Sequence, residues 1–366
     1  MSWWKPLVVI LVPPLAMVVL QVLLYQLVGV IEGSDDPMSA TLTPLKFLAV
    51  NLSIATAGVL AILLLVWIAK VPWRSLISAP RAFDARRLTY YLIAAMLLVG
   101  AGIGVVALVA PDAPGWTAFG VTGTTVGMLV IVVLSTPVQA VGEELMFRSA
   151  VLPAAASWVR AVRPALVVGL VVSGLGFAVV HGSADPWLFG YYTVIGISTG
   201  LMAIISRGIE APVAFHVANN VLFTTVNTVM ADGEAFAIDR STDSGDASLL
   251  ILGGVNVAMV VLVWLHERRA RAARAGRPAG SIKPSVVGEG VHPVGQLFGR
   301  EEGLEVADCL GRRAPHLVRA PGADRAAVVQ QPVEQLQGDG IHPTVEPGGV
   351  HQREQALPAG LRVRRA

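Results

Sequence analysis

The chain has 366 residues, of which 54% are hydrophobic and only 14% charged, and its mean hydropathy is +0.65. Soluble globular proteins carry about a quarter charged residues, so this composition excludes a soluble fold and points to an integral membrane protein. The net charge of +2 says little as a total, and the single cysteine, Cys309, excludes an intrachain disulfide and the multi-cysteine zinc sites.

Apolar runs of the roughly 20 residues needed to cross a bilayer recur along the first 265 residues. They fall at about 7–30, 45–69, 88–110, 121–147, 164–182, 187–206, 209–230 and 247–265. The first follows Lys5 with no small-residue cleavage site, which predicts a retained membrane helix rather than a cleaved leader. Pro111 to Gly115 breaks the third run from the fourth. The link Arg207-Gly208-Ile209-Glu210 joins the sixth to the seventh, with Pro212 suited to a helix's first turn.

The loops alternate in charge. Lys70, Arg74, Arg81, Arg86 and Arg87 fill the second, Arg160 and Arg163 the fourth, and Arg207 the sixth, while Arg268, Arg269, Arg271, Arg274 and Arg277 follow the last run. Acidic residues dominate the others: Glu32, Asp35 and Asp36 in the first, Asp112 in the third, Asp185 in the fifth, and Asp232 to Asp246 in the seventh. Basic residues in every second loop predict eight spans with both termini cytoplasmic. Arginine outnumbers lysine, and Ala, Val and Gly abound, as in GC-rich bacterial genomes, so the expected membrane is a bacterial plasma membrane.

The expected fold is thus all-α, a polytopic membrane protein of about eight transmembrane helices over residues 1–265. Residues 266–366 read as a basic juxtamembrane segment and a flexible cytoplasmic tail, because the stretch from about 281 has no apolar run and many Gly and Pro. Two weak echoes, at 288–293 and 338–343, share a Gly-x-Gly-x-His-Pro pattern and are given no catalytic role.

Three places in the later runs carry groups that lipid does not tolerate. Glu143, Glu144 and Arg148 follow the apolar residues 126–138, and one charge near mid-bilayer costs at least ~2.5 kcal/mol. Glu144 and Arg148 are four apart and share a helix face, where they read as an ion pair that positions the segment. Glu143 is turned about 100° away and has no partner within its own helix. Phe177 with His181, and His216 with Asn220, are again four apart on shared faces. Asn51, Asn227 and Asn256 read as interhelical glue, and Asp185, beside a turn, as solvated.

One carboxylate, two imidazoles and an amide can hydrolyse a peptide bond in either of two ways. A carboxylate and an imidazole can orient and deprotonate a water, with the other imidazole and the amide donating to the oxyanion. Alternatively Glu143, His181 and His216 hold a divalent metal such as Zn2+ whose water is the nucleophile. No His-Glu-x-x-His helix is present, and no serine-protease signature accompanies these histidines.

Glu-Glu-x-x-x-Arg (143–148), Phe-x-x-x-His (177–181) and His-x-x-x-Asn (216–220), in that order on successive late helices, resemble the CPBP family. These are the CAAX prenyl endopeptidases and bacteriocin-processing proteins, typified by the Ras-converting CAAX endopeptidase. The resemblance covers roughly residues 120–230 and implies an α-helical intramembrane protease whose water-filled cavity opens to the cytoplasm. By motif, Glu143 is expected to be the catalytic base and His181 to help activate the water. His216 and Asn220 form the expected oxyanion site, with Glu144, Arg148 and Phe177 in support. Both metal-dependent and glutamate-dependent chemistries are described for the family. The implied partners are a membrane-associated peptide or protein substrate and the lipid bilayer, with no nucleic acid.

Two other readings use the same residues: a non-catalytic membrane scaffold or bacteriocin-immunity-type protein, and a proton-coupled transporter, against which no inverted repeat is evident. Straight helices would place Glu143 and His216 in the cytoplasmic half and His181 in the outer half. Gly174, Gly176 and Gly182 would permit a kink or an early helix end near His181. A fourth span running on past Arg148 would instead bring Glu143 toward the midplane.

Overall fold

A computed structural model describes residues 3–112, 115–235, 241 and 244–275. The tail from 281, with its two echoes and Cys309, lies outside the described residues, as do Asp239, Arg240, Asp243 and Arg277. The described residues fold into helices with two isolated β-bridges and no strand. The first four helices are α1 (Trp4–Glu32), α2 (Pro44–Ala69), the short α3 (Trp73–Ile77) and α4 (Ala85–Val109). Next come α5 (Gly123–Glu144), a π-helical turn (Leu145–Val151) and α6 (Leu152–Ala156), stacked as one 34-residue span. The remaining helices are α7 (Val162–Val180), α8 (Pro186–Ser206), α9 (Glu210–Val229) and α10 (Leu249–Ala275).

The helix starts follow from local chemistry. Thr43 caps α2 ahead of Pro44, Thr122 and Thr125 form a reciprocal capping box on α5, and Asp84 caps α4. Asp185 accepts from Leu188 N at 2.8 Å at the start of α8 and is only 1% exposed. The expectation that it is solvated is therefore wrong: its carboxylate is consumed as a buried cap.

All eight expected runs are helices, and seven of them are long and apolar enough to cross a membrane. The protein is a multi-pass membrane protein. The eighth, α9, is 20 residues long but more polar, and its neighbours explain why. It packs against α4, α5 and α8, with Glu210 to His216, Ala218 and Asn219 all buried, so its polar side chains face protein instead of lipid. Outward side chains on other helices, such as Leu63, Leu97, Leu108 and Leu134, are more than half exposed and apolar, as a lipid-facing surface requires. The last helix continues past the expected end at 265 to Ala275.

Contacts between chain segments keep the two ends of the bundle separate. The second loop meets the sixth through a Ser78–Gly208 bridge and Ile209 N to Ile77 O at 3.0 Å. Trp158, after α6, donates to Trp3 O, and Arg87 at the start of α4 pairs with Glu267 near the end of α10. At the other end the third loop meets the seventh, with Thr122 Oγ1 donating to Gly233 O. Each of these contacts joins segments whose charge pattern assigns them to one side.

Two close backbone approaches fix the helices around the polar cluster. A Cβ on Gly58 of α2 would collide with Gly142 O, and one on Gly142 would lie 2.7 Å from Ala55 Cα. A Cβ on Gly196 of α8 would sit 2.8 Å from Gly174 Cα of α7. Only glycine permits these contacts, and the first one pins α5 at the residue before Glu143.

Candidate active site

The π-turn begins at Leu145, directly after the two glutamates. Single π-turns inside α-helices recur at functional sites because the wider turn re-aims side chains. It needs outside support, and Ser173 Oγ of α7 supplies some by donating to Phe147 O at 3.0 Å. With the turn in place, the fourth span runs on to Ala156, so Glu143 lies well inside it rather than near its end. On α7 the helix stops at Val180, His181 is the C-cap, and Gly182 takes a left-handed φ of 61°. Both of the ways by which the histidine and the glutamates could be brought to one level are therefore used.

His216 of α9 lies between the two carboxylates. Its Nε2 is 2.8 Å from Glu143 Oε2 and its Nδ1 is 2.6 Å from Glu144 Oε1. The second contact is an aligned hydrogen bond; the first is a close ionic approach off the hydrogen-bonding line, which leaves Glu143 Oε2 without a hydrogen bond. Glu144 Oε2 in turn faces Arg148 Nε at 3.2 Å. The expected Glu144–Arg148 pair is present, and Glu143 has its partner on another helix, not its own. Glu144 also holds His216, and Glu143 touches the same ring from its other nitrogen. Helical spacing describes one helix and could not reveal a partner on another.

Arg148 is held at several points. Its guanidinium reaches Gly196 O at 3.3 Å and Thr199 Oγ1 on α8, and its Cζ lies 4.7 Å from the Phe177 ring centroid. Phe177 is thus more than packing: its ring also lies 4.5 Å from His181 and 5.7 Å from His216. One phenyl ring borders the arginine and both imidazoles.

His181 is half-buried. Its Nδ1 is 2.7 Å from Phe177 O, and its ring stacks on Tyr192 at 4.0 Å. A carbonyl only accepts, so Nδ1 carries the proton and Nε2 carries the lone pair of the neutral ring. Asn220 sits in an amide chain. Its Nδ2 donates to Gln139 Oε1 at 3.1 Å, its Oδ1 accepts from Asn219 Nδ2 at 3.2 Å, and Tyr191 OH donates to Asn219 Oδ1 at 3.3 Å. That chain fixes the amide and leaves Asn220 one further N–H to donate.

Glu143, Glu144, Arg148, Phe177, His181 and His216 thus form one connected cluster drawn from four helical segments, and Asn220 lies one turn along α9 from His216. Gln139, Asn219, Tyr191, Tyr192 and Thr199 were not expected from sequence. Gln139 had the only available signal, lying four residues before Glu143. Asn51, by contrast, is the interhelical tie it was read as, donating to Ser135 and Thr136 of α5.

The side chains do not fit a metal as they stand. Both ring nitrogens of His216 are engaged by carboxylates and Nδ1 of His181 by a carbonyl. Among the described residues no group of three or more His, Cys, Asp or Glu is placed to hold an ion.

Residues 125–222 match the family model described as Rce1-like, Type II CAAX prenyl endopeptidase Rce1-like. The matched stretch runs from α5 into α9, contains all seven residues expected at the site, and is consistent with a CPBP family protease. No curated protein and no solved structure gave a match.

Proposed function

We propose that the protein is an intramembrane endopeptidase that hydrolyses a peptide bond near the C-terminus of a membrane-associated protein or peptide, using Glu143 as its base. The observation that carries this reading is the placement of His216 between Glu143 and Glu144, at 2.8 and 2.6 Å. Glu144 accepts from Nδ1, which sets Nε2 as the nitrogen presented to the reaction. A water admitted between Glu143 and His181 is polarised from two sides, by the carboxylate and by the lone pair on His181 Nε2.

Glu143 takes one proton from this water, and the hydroxide adds to the scissile carbonyl carbon. Flanked by two carboxylates, His216 acts as the imidazolium with a proton on each nitrogen, so the resulting oxyanion accepts hydrogen bonds from its Nε2–H and from the remaining Asn220 N–H. Glu143 then returns the proton to the amide nitrogen as the C–N bond breaks. Arg148 and Phe177 hold Glu144 and the two imidazoles in register. Since the histidines are engaged as described, no step is routed through a metal.

The basic loops support a reading in which both termini are cytoplasmic in a bacterial cell and the cluster is reached from that side. A binding-only scaffold would tolerate Glu143→Gln, which keeps shape and removes the base. The experiment is cleavage of a membrane-anchored peptide library by purified protein, with products read by mass spectrometry. Wild-type protein is expected to cut and folded Glu143→Gln is not; cutting by that variant at the wild-type rate would reject the mechanism.

A further inference from the structure

Arg148 is only partly spent on the cluster. Its Nε faces Glu144 and its Nη2 faces Gly196 and Thr199, whereas Nη1 is buried with no hydrogen-bond partner. A buried donor left without an acceptor is costly, and more so when charged. Such a group in a folded protein calls for an explanation.

Arg148 also lines a small cleft, of about 40 Å³, between the segment that ends α3, the π-turn with α6, and the α8–α9 link. Neither Glu143, His181, His216 nor Asn220 lines it, so it is a separate space that shares one residue with the cluster. Two more buried polar atoms without partners belong to its lining, Ser149 Oγ and Ser78 Oγ. Arg207 lines it too, and no Asp or Glu does. The cleft therefore has several donors and no carboxylate of its own. A group with several lone pairs and a negative charge would offer acceptors to these orphaned atoms, and a carboxylate has that chemistry.

Its position selects a source for that carboxylate. The cleft opens among the second loop and the sixth, the basic end of the bundle, where a peptide tail on the cytoplasmic side would arrive. Through Arg148 and Glu144 it is two contacts away from His216. We propose that this cleft is the subsite for the terminal carboxylate of the peptide substrate, held by Arg148 Nη1 and the hydroxyls of Ser149 and Ser78. The proposal rests on the endopeptidase reading of the neighbouring cluster and adds to it a reason for cutting near a free C-terminus.

The test uses full-length protein in nanodiscs carrying Glu143→Gln, so that binding is read without turnover. An N-acetylated apolar hexapeptide is titrated as the free acid and as the C-terminal amide. The acid should bind about tenfold or more tightly, as charge-assisted hydrogen bonds imply. The double variant Ser78→Ala with Ser149→Ala, shown folded by its melting curve, should reduce that preference about threefold or more, since two neutral hydrogen bonds are lost while Arg148 remains. Equal binding of acid and amide, binding of neither, or a preference undiminished in the double variant would each overturn the subsite. Displacement of the acid by equimolar inorganic phosphate would also overturn it, giving the cleft to a free anion. Glu143-dependent cleavage of the amide as fast as the acid would sink the subsite while leaving the protease reading intact. Acid preference in a protein whose wild type cuts nothing would do the reverse.

Discussion

Glu210 and Glu143 are both buried carboxylates facing a cation, and they are furnished in opposite ways. Glu210 accepts from Arg81 Nη1 at 2.5 Å, from Arg81 Nη2 at 2.7 Å and from Asp84 N at 2.9 Å. Arg81 in turn donates to Ser206 O, so both partners are saturated. Around Glu143 the atoms Glu143 Oε2, Glu144 Oε2, Arg148 Nε and Arg148 Nη1 are buried without hydrogen bonds. The first arrangement ties the second loop to the start of α9 and leaves neither carboxylate oxygen without a hydrogen bond. The second keeps a carboxylate oxygen able to take a proton. Equal burial and equal charge thus separate into a strut and a reactive group by how completely the oxygens are satisfied.

That contrast can be broken by exchange of function and stability. Glu143→Gln should lower kcat by about 10²–10⁴-fold, the usual contribution of a general base, with little change in melting temperature. Glu210→Ala should do the opposite. It strands a part-buried Arg81 and should cost about 1.5–3 kcal/mol of stability, read as a fall in the detergent-solubilised melting temperature. If Glu143→Gln destabilises as much as Glu210→Ala, the distinction between them fails. Asn220→Ala should reduce kcat by about 10²-fold with KM nearly unchanged, because an oxyanion donor acts in the transition state.

Smaller effects sharpen the picture at its edges. Tyr191→Phe removes one hydrogen bond from the amide chain and should lower kcat only a few-fold, in line with about 0.5–1.5 kcal/mol. Chelation with EDTA followed by dialysis should leave the cleavage rate unchanged. Loss of activity restored by Zn2+ would show that the histidines rearrange around a metal and would replace the water-activation scheme.

Much of the fold was legible because membrane helices announce themselves by length and apolarity, and the basic loops sort their ends. The three polar places were legible for the same reason, since charge inside apolar runs is conspicuous. What could not be read were contacts across helices. Arg81 and Glu210 are far apart in sequence, and no local spacing pairs them. Asp185 looked like a turn residue because burial by neighbouring loops has no local sign. Gln139, Asn219 and Tyr191 are ordinary polar residues until the packing of α5, α8 and α9 strings them together. The weak apolarity of α9 was itself informative: a span that lipid would reject must be surrounded by protein.

The π-turn at Leu145–Val151 carries a consequence of phase. It sits between two halves of a single membrane-crossing rod. The half before it points its side chains at α9, and the half after it packs Leu152 and Ala156 against Gly169 of α7. A wider turn rotates less per residue than an α-helix, so the extra residue is absorbed inside it and both halves keep the orientation of an unbroken rod. Deleting one residue there would leave both halves on their neighbours and re-aim only the side chains of the turn, Arg148 among them. The extra residue is therefore what sets the direction of the arginine within the rod.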